Sequence, residues 1–163
     1  MNLKLSCVLF LIVTITSVAL SDSVNDAING AREAIVSAES YVNVISDEED
    51  MNYIVSILSV ASTDWEVALK DQEAVQLCLN KKEGASGELQ SDYNILMKVS
   101  AQSAEVHANS VRLAAAYVQL IAQKAQENLL ENVRIAIKEN EKIKQLVSDN
   151  VEYTKRQVAS KYR

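Results

Sequence analysis

The chain has 163 residues, 48% of them apolar, with 22 acidic and 16 basic side chains and a net charge of −6. That supply of apolar residues suits one domain with a real core and excludes a globally disordered chain. The absence of proline and the presence of only three glycines, Gly30, Gly84 and Gly87, argue against sheets, whose turns lean on both residues. An all-α fold is expected, and Ala, Glu, Gln, Lys and Leu supply the helix formers.

Residues 1–21 read as a secretory signal. Lys4 gives a positive start, Cys7 to Val13 form a short apolar core, and small residues allow cleavage after Ala19 or after Ser21. An uncleaved anchor is the rival reading. The apolar run is short for a membrane span and is diluted by Thr14, Thr16 and Ser17. Residues 22–163 then form a single extracellular bundle domain.

The first helix is expected from Asp22 to Ser46. Val24, Ile28, Ala31, Ile35, Ala38, Val42 and Ile45 alternate four and three residues apart, a strict heptad seam. Ala31 and Ala38 would let a neighbouring helix approach closely. Gly30 lies off that seam and costs helicity. Asp47, Glu48, Glu49 and Asp50 follow, and without the spacing and glycine of a calcium loop they read as the start of the second helix.

That second helix should run to Lys82 on the seam Met51, Ile54, Leu58, Ala61, Trp65, Ala68, Gln72, Val75 and Leu79. Trp65, the only tryptophan, is expected to anchor the core. Gln72 is the one polar residue on the seam, the type of position that sets register or partner choice, though it also fits a bundle end. With the signal removed, Cys78 is the only cysteine. It reads either as a small buried hydrophobe or as the site of an intermolecular disulfide.

Residues 83–87 are the one clear loop. Beyond them no glycine or proline occurs, and one unbroken helix from Glu88 to Arg163 would be roughly 115 Å long. Within it, residues 111–122 are apolar except for Arg112 and Gln119, so this stretch should be the rib that other helices cover. The seam of Val99, Val106, Leu113 and Leu120, completed by Ser103, Ser110 and Tyr117, fails at Lys124 and resumes at Leu129, Val133, Ala136, Ile143 and Val147. The nine-residue jump from Leu120 to Leu129 turns the apolar face by about half a revolution. Acidic residues also precede basic ones on each side of the jump. An antiparallel four-helix bundle of coiled-coil-like hairpins is therefore expected, with a break near 124–128. Three helices, the last long and bent, are the alternative.

Residues 22–93 are acidic and 94–163 basic, so the two halves can neutralise each other within one chain or between two. The acidic total, and a basic end without interleaved aromatics, argue against nucleic-acid binding. No constellation for chemistry is apparent. His107 is the only histidine and reads as a surface or seam-edge residue. Cys78 and His107 lack a third orienting group, paired carboxylates would come from solvated faces, and the glycines carry no phosphate-loop lysine. No catalytic, cofactor or metal residue is expected. The tyrosines, Tyr41 through Tyr162, read as core-edge residues. The functional expectation is a secreted, non-enzymatic structural or protein-interaction module that associates with itself or another secreted protein. Carriage of lipid or another apolar ligand is the alternative.

Overall fold

The computed structural model describes residues 17–85 and 87–161, so most of the expected signal lies outside the described residues. They form four helices: α1 (Ser17–Val42), α2 (Glu48–Glu83), α3 (Gly87–Ala122) and α4 (Glu127–Lys161). The four-helix reading holds, and the single long C-terminal helix does not. The first helix lies about four residues earlier than its seam suggested, running from Ser17 and ending at Val42. Asp47 caps α2 by accepting from the Asp50 backbone N–H at 3.0 Å, and Glu48, Glu49 and Asp50 fill the first turn. The acidic run is a helix start, as its placement implied.

The α3–α4 turn shows why it lacks an ordinary sequence signal. Lys124 N–H donates to the Ile121 carbonyl and Ala125 N–H to the Leu120 carbonyl, the pair of bonds that closes a helix in a Schellman motif. The left-handed position of that motif usually holds glycine, but here Lys124 occupies it at φ 51°. Lys124→Gly is expected to stabilise the protein by about 1 kcal/mol, because the left-handed backbone costs a residue with a Cβ roughly that much. Chemical denaturation checks this; a loss of stability would contradict it.

α3 is the hub. Among the described residues α1, α2 and α4 all pack on it, α1 and α2 touch only sparingly, and no Cα of α4 lies within 8 Å of one in α1 or α2. Side-chain pairings show that α2 and α4 run antiparallel to α3, whereas α1 runs parallel to it. The arrangement is three helices leaning on a fourth. Small residues make this possible: Ala101, Ala104 and Ala108 on α3 meet Ala61 and Ala68 on α2 and Ala31 on α1, all buried. Val111, Ala114, Ala115, Tyr117, Val118 and Ile121 are buried too, so the apolar rib is covered as expected. Gly30 lies under a flexible side chain that could move aside. A Cβ there would lie 1.9 Å from the guanidinium of Arg112, which crosses α1 on its way to the Asp26 carbonyl.

The apolar core is uneven. A lower cluster joins α1, α2 and α3 from Leu20 to Cys78 and Met97 to Ala114, without any residue of α4. An upper cluster around Tyr117 and Ile54 takes in Leu130, Val133 and Ile137 from the first turns of α4. Below those turns the only buried residues of α4 are Asn140, Lys144, Val151 and Thr154. The expected fourth seam is thus corrected by about one position. Leu129 and Ile143 are exposed, and Val133, Ile137, Asn140, Lys144, Val147, Val151, Thr154 and Val158 face inward at four-three spacing.

Candidate functional site

Two features of the bundle bear on function: a buried polar cluster where α2, α3 and α4 meet, and an apolar groove between α1 and α2. The cluster is built on residues seven apart. Asp64 and Asp71 on α2 lie next to the alanines Ala61 and Ala68, so the close approach that these alanines permit also carries both carboxylates inside. Asp64 receives the Lys144 ammonium at 2.7 Å, from α4, and the Ser110 hydroxyl at 2.5 Å, from α3. Lys144 also meets Glu141 at 2.6 Å. Asp71 accepts from the Ser103 hydroxyl, and burial pushes its carboxyl above the ordinary range, partly offset by that bond and by Lys155 and His107 nearby.

Of the two expectations for His107, surface or seam edge, the surface one is corrected: the histidine lies beside the α3 seam, buried. It is 5% exposed and sits between the two aspartates. A carbonyl oxygen only accepts, so the 2.8 Å contact from Nδ1 to the Ser103 carbonyl places a proton on Nδ1. Nε2 then faces Asp64 at 3.9 Å. The expectation that carboxylate pairs would lie on solvated faces is likewise corrected. Asp64, Asp71 and Asp92 are all under 7% exposed, drawn in by partners the one-dimensional pattern does not reveal. Asp92 holds Lys161 at 2.8 Å, and with the Asp64–Lys144 pair this joins the acidic and basic halves at two places within one chain.

Serine, histidine and aspartate meet here, but not as a nucleophilic triad. Ser103 is 2% exposed, its Oγ lies 3.3 Å from Nδ1, and the better-placed partner of that nitrogen is the carbonyl of Ser103 itself. No reacting atom can approach a hydroxyl enclosed in this way. Among the described residues no group of His, Cys, Asp and Glu is arranged to hold a metal ion.

Because Asp71 holds its proton more tightly folded than unfolded, its charge opposes folding at neutral pH. Asp71→Asn, which keeps the acceptor for Ser103, is expected to raise stability at pH 7. The gain should fade as the pH falls through the raised value towards the ordinary 3.8, where both states are protonated. Parallel denaturation series of the two proteins would show it. A pH-independent difference would place the effect elsewhere.

The residues singled out in the sequence lie apart from this cluster. Gln72 bridges α2 to α1, donating to the Asn25 side-chain oxygen at 2.7 Å. Cys78 is 3% exposed in the lower core, and burial pushes its thiol up. Native protein should therefore react with a thiol reagent far more slowly than unfolded protein, a ratio read by colorimetric titration with and without urea. Equal rates would mean that Cys78 is accessible. Trp65 packs on the core edge, with the Arg32 guanidinium 6.0 Å from its ring centroid.

Beside Trp65 opens the groove, about 380 Å³ in volume and lined by Ile35, Ala38 and Val42 of α1 and Leu58, Ala61 and Trp65 of α2. It exists because α1 and α2 lean on α3 more than on each other. With these geometries in view, comparison with known proteins finds no matching family, no similar curated protein and no similar solved structure. Function has to be argued from the residues.

Proposed function

We propose that the protein is a secreted, non-enzymatic helical module that acts by binding itself or another extracellular protein. The observation that carries this reading is the outer flank of α4. Ile135, Leu146 and Tyr153 are 49%, 69% and 64% exposed, and at 100° per residue they fall within about 20° of one another. Ile143, 48% exposed, borders the same flank. Glu139 and Lys142 there neutralise each other at 2.6 Å, and Asp149, between Leu146 and Tyr153, leaves the strip with one acidic charge. The heptad seams of α1 and α2 face the interior and the groove between these two helices, and this strip on α4 offers a separate surface to another helix. Light scattering on a sizing column, with and without reductant, tests it. A dimer that Leu146→Glu dissociates is expected, and a strict monomer with no protein partner would remove the reading.

Export rests on the sequence of residues 1–21, and Leu20 bears on which of the two cleavage registers is used. Leu20 is 8% exposed in the lower core, so cleavage after Ala19 keeps a core residue that cleavage after Ser21 would discard. Among the described residues no helix is long and apolar enough to cross a membrane. The chain purified from culture medium should begin at Leu20.

The groove between α1 and α2 favours a second reading, carriage of a small apolar ligand. Its volume falls in the range of small-molecule sites, and its walls are mainly aliphatic or aromatic, with Glu39 and Ser62 the polar exceptions.

A further inference from the structure

The groove between α1 and α2 has a direction. It runs along α1 from Ile35 to Val42, about 10 Å at 1.5 Å per residue, roughly the reach of an eight- to ten-carbon chain. Its floor is made by Ala38 and Ala61, small enough to leave a trough above α3. At one end the Trp65 ring forms a wall, and the Arg32 guanidinium stands over that ring. Arg32 is exposed and, among the described residues, takes part in no ion pair. Seven residues further along the same edge of α1, Glu39 flanks the middle of the trough.

We propose that this groove binds one medium-chain amphiphile with an anionic head, a fatty-acid-like carboxylate, with its chain along Ile35, Val42 and Leu58 and its head at Arg32. The inference rests on the ligand-carrying reading and adds the head-group chemistry and the orientation. The apolar walls take the chain out of water. A planar guanidinium held over an aromatic ring still presents its edge N–H groups, which match a carboxylate in bidentate geometry. Glu39 repels the same head in the reversed direction, so the charges on α1 fix which end enters beside Trp65. A cationic amphiphile would take the reversed direction, with its head at Glu39, so decyltrimethylammonium binding as tightly as decanoate would overturn the head at Arg32.

Trp65 is the only tryptophan in the chain and lines the site, so its emission reports occupancy directly. The full mature chain is titrated with decanoate below its micelle threshold, and in parallel with decanol, decyltrimethylammonium and phosphatidylglycerol vesicles. Saturable one-site binding of decanoate with a Trp65 emission shift is expected, with decanol weaker by about tenfold, the worth of one charge-assisted bond. Arg32→Gln should weaken decanoate by a similar factor and leave decanol unchanged. Ser62→Phe, a change on the exposed rim, should block both while circular dichroism stays native. Decanol binding as tightly as decanoate would overturn the anionic head while leaving apolar carriage standing. Absence of any response to all soluble probes would overturn both, and a response to vesicles alone would make the surface a membrane contact and sink the proposal.

Discussion

Lys144→Met is expected to cost about 3–5 kcal/mol, because it leaves the Asp64 carboxylate enclosed without its cation. Asp64 is 4% exposed and Lys144 7%, and their 2.7 Å pair is the tie between α4 and α2 at mid-bundle. Ser110 still donates to Asp64 in that variant, but a neutral hydroxyl does not balance a buried charge. The double replacement Asp64→Leu with Lys144→Met should cost far less than either single change, since both desolvation penalties disappear together. Urea denaturation of the four proteins gives the cycle. If Lys144→Met loses less than about 1 kcal/mol, the pair is not enclosed as described.

Tyr117→Ala should be comparably damaging, at about 3–5 kcal/mol, as for other large aromatic truncations in cores. Tyr117 is 1% exposed and centres the upper cluster. Its ring meets Tyr53 of α2 edge-on at 5.1 Å, and its hydroxyl accepts from Arg134 Nε of α4 at 3.0 Å. The truncation therefore opens a void and unties α2 and α4 from the top of α3. Tyr117→Phe keeps the packing and removes only the acceptor, and it should cost about 1 kcal/mol. Equal losses in the two variants would mean that the ring contributes little. Thermal melts followed by circular dichroism separate the two outcomes.

Both predictions concern residues whose roles were only half visible beforehand. Tyr117, Ser103 and Ser110 already stood on the expected seam of α3, and Val24, Ile28, Ala31 and Ala38 on that of α1, because a buried apolar stripe writes its period directly into the chain. The neighbour of α1 was not written there: Ala31 and Ala38 allow a close approach but do not say to which helix. α2 was legible through Ile54, Ala61, Ala68 and Val75, yet Asp64 and Asp71 read as solvent-facing, since burial of a carboxylate depends on partners 30 to 80 residues away. A usable signal was present in their seven-residue spacing beside the alanines. In α4 the same bias favoured Ile143 over Lys144, and hydropathy cannot know that Asp64 waits for an ammonium. The open groove was also out of reach, because it is a gap between two helices that each answer to a third.

These facts make α4 the least firmly attached helix. It shares apolar core only through Leu130, Val133 and Ile137, and below them it is held by Asn140, Lys144, Val151, Thr154 and the Lys161 pair with Asp92. α3, enclosed on several sides, should open only with global unfolding. Native-state hydrogen exchange resolves the two directly. The account predicts that amides of residues 101–118 exchange at the global unfolding free energy, while those of residues 140–158 exchange through a separate opening of lower free energy that Lys144→Met lowers further. Amides of α3 exchanging as readily as those of α4 would contradict the hub arrangement on which the fold and both binding surfaces depend.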